Sequence, residues 1–168
     1  EIRLIKEVLE LKARGETQYH ESTQTHSTER YISAQWFARE QQQIFRGQPL
    51  AIGSAKEVPN PGDYLALDWL DGVSLLMVRG EDNQVRVFAN ACRHRNARLV
   101  ANGESGCKKK FICPYHAWTY GTEGNLAGAP DFERGFSGLD KEKLGLIEFP
   151  SRVIGGIVFV HMDREQQV

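Results

Sequence analysis

The chain opens with apolar residues at Ile2, Leu4, Ile5, Val8, Leu9 and Leu11, mostly three or four apart in an otherwise charged segment. That spacing predicts a short amphipathic helix whose apolar stripe calls for a partner surface. The stretch GETQYHESTQTHSTE that follows has no period and no large aliphatic side chain, so an exposed polar linker is expected over about residues 15–28. A second helix is predicted behind it. Ser33 serves as its N-cap, Trp36, Phe37, Ile44 and Phe45 form its apolar side, and Arg46 and Gly47 close it before Pro49.

Beyond Pro49 the period changes. LAIGS, YLALDW, VSLLMVRG and QVRVFAN read as short strands separated by the turn signals PNPGD, LDG and GEDNQ. Further strands are expected at FIC and WTY, then a turn at GTEGN, with VIGGIVFVHM as the last strand. The Gly-rich AGAPDFERGFSGLDKEKLG is expected to loop over one side. No internal repeat is evident. The expected organisation is a helical segment over residues 1–47 and a small antiparallel β domain over residues 48–168.

Composition narrows the class without naming a partner. At 168 residues the chain is the size of one ordinary domain and can bury a core without disulfides. With 40% apolar residues, 26% charged residues and a net charge of -1, it has no bulk attraction to nucleic acid or anionic lipid. Cys92, Cys107 and Cys113 are too few, and odd in number, for the disulfide framework of a secreted domain, so a reducing cytoplasmic setting is expected. No apolar run reaches membrane-span length, and the first residues are too charged for a secretory signal. A start without methionine suggests trimming, a leader, or a longer parent chain.

The candidate chemistry lies in two echoing motifs, CRHRN at residues 92–96 and CPYH at residues 113–116. Each offers one thiol and one imidazole, and each follows a predicted strand. The expectation is two loops leaving neighbouring strands at the same end of a sheet and clamping an object between them. A tetrahedral zinc accepts such ligands, although zinc modules usually pair Cys with Cys and His with His. A two-iron cluster accounts for the mixture better: one thiolate from each loop holds an inner iron, and one imidazole from each loop holds an outer iron. Neutral imidazoles leave the oxidised cluster uncharged instead of doubly negative, which makes it easier to reduce. Centres of this type run at about −150 to +300 mV, against about −400 mV for all-thiolate ferredoxins. The ring nitrogens not bound to iron can hydrogen-bond to a partner's carboxylate or to water, so such a site suits electron transfer. Unrelated loop residues are the remaining reading. His20 and His26 are read as solvent-exposed and His161 as structural. Cys107 has no evident cysteine to pair with. The run Lys108, Lys109, Lys110 is read as a solvated hairpin in preference to a surface that steers an acidic electron donor.

NACRHRNARL followed by FICPYHAWTYGTEGNLAGAP resembles the Rieske domain of the large (alpha) subunit of Rieske non-haem iron, aromatic-ring-hydroxylating-type oxygenases. YISAQWFAREQQQIF, NPGDYL, LLMVRG and GGIVFVHMD extend the resemblance over roughly residues 31–163. The resemblance implies a mainly β fold, a small antiparallel Rieske-type sandwich or barrel with a cluster-binding subdomain, preceded by N-terminal helices. It implies a [2Fe-2S] cluster, with Cys92 and Cys113 on the inner iron and His94 and His116 on the outer. Arg95, Tyr115 and Trp118 would pack around the cluster, and backbone amides of both loops would point at its sulfurs. Family members often carry glycine where Asn96 and Ala117 stand. Asparagine tolerates a left-handed backbone, whereas Ala117 would need an ordinary conformation or lose about 1 kcal/mol. Respiratory Rieske proteins carry an extra cysteine in each loop. Ala97 and Tyr115 occupy those places, which favours the lower-potential oxygenase type.

The implied function is electron transfer from a ferredoxin or flavin reductase to a mononuclear Fe(II) that activates dioxygen. In the family that iron sits in a C-terminal catalytic domain, which this chain is expected to lack. After His116 the only histidine is His161, so no two-histidine, one-carboxylate triad can be assembled, and the chain alone is not expected to hydroxylate a substrate. The intact subunit would be a homotrimer or mixed hexamer, each Rieske domain serving a neighbouring subunit's catalytic iron, with no nucleic-acid or membrane partner. The alternatives are a stand-alone Rieske ferredoxin and a zinc-stabilised interaction module.

Overall fold

The computed structural model describes residues 2–16, 22–69 and 72–168; His20 and the middle of the expected linker lie outside them. The chain divides into a small unit over residues 1–37 and a larger one over residues 38–168, so helical residues 38–47 fall within the larger unit.

In the small unit, α1 (Ile2–Arg14) is the predicted amphipathic helix. Ile2, Leu4, Ile5, Val8 and Leu9 are all exposed. It stops at Gly15, which takes φ 65, a left-handed C-terminal stop that costs glycine little. A one-turn helix, α2 (Glu29–Ile32), precedes α3 (Ala34–Glu40) and has no counterpart in the sequence reading. Ser33 breaks the two with an extended backbone, and its hydroxyl accepts from the Trp36 amide at 3.4 Å, so it caps α3 as expected. After α3 the backbone loosens into a π-helical turn, Gln41–Phe45. At Gly47 a Cβ would sit 2.8 Å from the Gln43 carbonyl, which requires glycine at the exit of this turn.

Among the described residues, the larger unit is built from three antiparallel sheets. The central one has the order β5-β2-β3-β4-β9, from β2 (Asp63–Asp68), β3 (Ser74–Arg79), β4 (Val85–Ala89), β5 (Ser105–Cys107) and β9 (Glu148–Phe149). The second, β1-β11-β10, uses β1 (Leu50–Ser54), β10 (Ser151–Ile154) and β11 (Ile157–Val160). The third, β6-β7-β8, uses β6 (Lys110–Ile112), β7 (Thr119–Gly121) and β8 (Leu126–Gly128). VIGGIVFVHM is therefore a hairpin and not one strand. Gly155 and Gly156 take φ 59 and 84 and turn the chain, so that Ile154 pairs with Ile157.

The two-residue period of the strands sorts their side chains into two cores. Leu75 and Met77 of β3 join Val58, Val87, Phe149, Val158 and Val160 in one. Leu76 and Val78, one residue out of phase, join Tyr64, Ala66, Phe88, Phe111, Trp118 and Tyr120 in the other. The central strand is thus buried on both faces, which explains its unbroken apolar run, and each fully buried side chain there stabilises the fold by about 1.5–3 kcal/mol. The second core contains Cys92 and Cys113, which places the candidate loops on the face of the central sheet opposite β11.

Candidate metal centre

The two motif loops do not leave neighbouring strands of one sheet, as the sequence suggested. The first follows β4 of the central sheet and the second follows β6 of the three-stranded sheet. The reason lies between them. Strand β5 pairs with β2, Tyr64 facing Gly106, whereas β6 pairs with β7, so the chain changes sheets between Cys107 and Lys110. Cys107 therefore ends a strand opposite Asp63 instead of sitting in a β5–β6 hairpin, and it is a free, exposed thiol.

Despite different sequences, the loops close in the same way. The Cys92 amide donates to the Ala97 carbonyl at 2.8 Å, and the Cys113 amide donates to the Trp118 carbonyl at 2.8 Å. The Cys92 carbonyl accepts from Asn96 at 2.8 Å, and the Cys113 carbonyl accepts from Ala117 at 3.0 Å. Asn96 and Ala117 take φ 55 and 56, so both use the left-handed conformation and Ala117 does not adopt an ordinary one. Each loop is a knuckle that turns its cysteine inward and carries its histidine two or three residues later.

Asn90, at the end of β4, fixes the return of the first knuckle. Its buried amide accepts from Leu99 and Val100 at 3.2 and 3.1 Å and donates to the Val100 carbonyl at 2.7 Å and to Ser74 Oγ at 3.1 Å. The sequence reading missed this residue, because one asparagine in a loop carries no pattern.

The knuckles bring two thiols and two imidazoles together. Cys92 and Cys113 are buried, and the His94 and His116 rings lie 4.6 Å apart between centroids. Burial pushes the Cys92 thiol up, the Tyr120 hydroxyl and the His94 amide pull it down, and the neighbouring Cys113 thiol raises it again. Tyr120 Oη lies 3.3 Å from Cys92 Sγ and accepts from the Arg93 amide at 2.9 Å. With that acceptor position filled, its own proton is free to point at the sulfur. Burial, followed by the contact with Cys92, raises the Tyr120 pKa and keeps the phenol protonated.

The imidazoles carry the most direct sign of metal-binding chemistry. His94 Nδ1 and His116 Nδ1 are both buried with no hydrogen-bond partner, a costly state for two polar atoms unless something binds them. Burial, the His116 ring and Arg95 lower the His94 pKa, favouring the neutral imidazole that binds metal. Two buried thiols and two orphaned imidazole nitrogens fit a sulfur-bridged pair of irons. Among the described residues no three His, Cys, Asp or Glu side chains gather round a single point, and a two-iron cluster asks for only two at each iron.

Aromatic rings surround the imidazoles. Trp118 is buried and stacks on His94 at 5.1 Å with 10° between the planes. Phe136 stands edge-on to His94 at 5.5 Å and to Trp118 at 5.3 Å. Tyr115, 61% exposed, lies against His116 at 3.8 Å. Arg95 is exposed and reaches His94 through its charge. Phe136 and its neighbour Phe132 come from α4 (Phe132–Gly135) and its C-terminal residue, within the segment expected only to loop over one side. Lys108 is not simply solvated: it pairs with Glu104 at 2.9 Å and lies 4.7 Å over the Tyr64 ring. His161 is buried, with Nδ1 accepting from the Asp163 amide at 3.0 Å.

Residues 48–150 match the model of the Rieske [2Fe-2S] domain. The chain is 32% identical over 135 residues to the biphenyl 2,3-dioxygenase alpha subunit of Rhodococcus jostii (strain RHA1), covering 80% of this chain and 29% of that one. It is 33% identical over 133 residues to the carnitine monooxygenase oxygenase subunit of Escherichia coli (strain K12), covering 79% and 35%. Among solved structures, the quaternary ammonium Rieske monooxygenase CntA superposes with a TM-score of 0.75 at 31% identity, over 86% of this chain and 39% of that one. The chain thus spans about a third of the length of the relatives it matches.

Proposed function

Because the chain belongs to the Rieske [2Fe-2S] family, and specifically to the Rieske domains of oxygenase alpha subunits, we propose that it relays single electrons to a catalytic iron outside these residues. Cys92 and Cys113 would hold the inner iron and His94 and His116 the outer iron. When bound, the cluster supplies a one-electron carrier. The residues of this chain do the rest: the knuckles fix the ligands, the His94 amide and Tyr120 hydroxyl face the Cys92 sulfur, and Trp118 keeps water from one side of His94. Hydrogen bonds to sulfur stabilise the negative charge that arrives with the electron.

The single observation that carries this reading is the pair of buried, unpartnered imidazole nitrogens beside two buried thiols. A ferredoxin or flavin reductase would be the donor. The acceptor would be a mononuclear Fe(II) in a catalytic domain, of a neighbouring subunit where the protein is oligomeric. A structure of a quaternary ammonium Rieske monooxygenase that this chain resembles has been described in terms of inter-subunit electron transfer. No helix of the described residues is long and apolar enough to cross a membrane, and the free Cys107 thiol suits a reducing cytoplasm. The stand-alone ferredoxin is not favoured, since the relatives compared above are oxygenase subunits.

Anaerobic reconstitution tests the proposal. The chain should take up two irons and two sulfides, absorb in the visible and give an EPR signal on reduction; Cys113→Ser and His116→Ala should each lose that signal. A colourless protein holding stoichiometric zinc after the same treatment would overturn it.

A further inference from the structure

The two histidines of the centre are not equivalent. His94 touches three aromatic rings: Trp118 stacked at 10°, Phe136 edge-on at 89° and His116 edge-on at 66°. Apart from His94, His116 meets among the described residues only the ring of Tyr115, tilted by 36° on a side chain that is 61% exposed. One imidazole is walled in, and the other is covered by a side chain that solvent or a partner can move.

The wall around His94 depends on a remote segment. Phe136 is the only ring outside the two knuckles that meets His94 among the described residues, and it also meets Trp118 at 5.3 Å. Phe132 stacks on Phe136 at 5.6 Å and lies 6.1 Å from Trp118. The chain enters α4 through Asp131 at φ 52, a left-handed residue that redirects the backbone so that Phe132 and Phe136 pack on the core holding Cys92 and Cys113. Edge-to-face contacts prefer defined angles, so a ring in this position resists rotation of the imidazole as well as excluding water.

The geometry points to Phe136 as a positioning residue that fixes the plane of the His94 imidazole against Trp118, leaving His116 as the adjustable ligand. The inference rests on the cluster reading above and goes beyond it by dividing the roles of the two imidazoles. An imidazole whose plane is free to turn changes its overlap with the metal it binds, and a ring lost from the wall lets water closer. Reduced charge is better stabilised in wetter surroundings, so loosening this wall raises the potential.

The test uses the reconstituted chain, with iron and sulfide content of the wild type measured first. A wild type that binds no cluster would refute the function proposed above, and the role of Phe136 would then be read from Trp118 alone. In the cluster-bearing chain, Phe136→Leu is expected to keep both irons, alter the hyperfine coupling of one of the two ligating nitrogens while leaving the other unchanged, and raise the potential. Unchanged couplings and potential would overturn the inference, as would an equal change in both nitrogens. Should Phe136→Leu lose iron, Phe136→Tyr, which keeps the ring, should restore iron and wild-type couplings; failure of that rescue also overturns it. A readout free of the cluster is the indole N–H resonance of Trp118 in the iron-free chain, which Phe136→Leu should move and Phe149→Leu, in the opposite core, should leave in place.

Discussion

Asn96 and Ala117 hold the same left-handed backbone, φ 55 and φ 56, each four residues beyond a buried cysteine whose carbonyl accepts its amide proton. An asparagine at such a position costs little, but alanine there is strained by about 1–2 kcal/mol relative to glycine. Ala117→Gly should therefore stabilise the second knuckle. Glycine gives back part of the gain through the entropy of the unfolded chain, so the net expectation is about 0.5–1 kcal/mol and slower loss of iron on warming. Asn96→Gly should change little. The check is thermal unfolding together with bleaching of visible absorption; an Ala117→Gly protein that melts below wild type would show that the strain is absent.

Tyr120 offers a way to move the potential without touching a ligand. Its hydroxyl lies 3.3 Å from Cys92 Sγ, and a metal-bound thiolate has no proton of its own, so the phenol must donate. The bond strengthens as the cluster gains negative charge. Taking the difference between oxidation states as about 1 kcal/mol, Tyr120→Phe should lower the potential by roughly 40 mV for a one-electron step. Iron content should not change. A redox titration that returns the wild-type value would show that the hydroxyl does not serve the sulfur.

Glu104 gives a pH signature. The Tyr64 hydroxyl donates to it at 2.7 Å and Lys108 lies 2.9 Å away, and these two hold its carboxyl below the ordinary value. A carboxylate whose folded pKa lies below its unfolded one adds stability that is present above the unfolded value of 4.5 and is lost as pH falls through the folded value. Glu104→Gln should thus melt below wild type at neutral pH, with the gap closing as pH falls below about 4.5. The comparison is made on iron-free protein, so that acid release of iron does not intrude. A gap independent of pH would rule out the carboxylate as its source.

Much of this arrangement is legible in the sequence, for reasons that differ along the chain. Strands β2, β3 and β4 announce themselves because a half-buried or doubly buried strand must alternate or run apolar, as YLALD and SLLMVR do. The four candidate donors, Cys92, His94, Cys113 and His116, stand out because Cys and His recur at short spacing. The strands β5, β8 and β9 are too short to carry a period, and their existence depends on distant partners such as Tyr64 facing Gly106 and Phe88 facing Glu148. The placement of the knuckles on different sheets follows from those same pairings. The equivalence of the knuckles is likewise hidden, because a hydrogen bond from Cys113 to Trp118 and one from Cys92 to Ala97 constrain backbone and leave almost no side-chain pattern. Phe136 lies forty-two positions after His94, in a segment whose glycines read as an irregular loop.

Asn90 shows how much of the centre hangs on one unannounced side chain. It is 2% exposed, and its amide satisfies the Leu99 and Val100 N–H groups and the Val100 carbonyl, which β4 cannot reach with its own backbone. Truncation to alanine leaves these three polar groups in a buried setting. Each unsatisfied group costs about 1–3 kcal/mol, and partial access of water reduces the sum, so Asn90→Ala should destabilise the domain by about 3 kcal/mol or more. Asn90→Asp keeps the acceptor for the two amides but turns a carboxylate oxygen toward the Val100 carbonyl, so it should fall between wild type and alanine only where its carboxyl is protonated. Because residues 99 and 100 anchor the chain as it leaves the first knuckle, the loss should show first as faster release of iron, with unfolding of the central sheet at higher denaturant. Urea unfolding followed separately by visible absorption and by far-ultraviolet circular dichroism resolves the two. Coincident, wild-type-like transitions in Asn90→Ala would mean that Cys92 and His94 are held in place by the packing of Leu99 and Val100 alone.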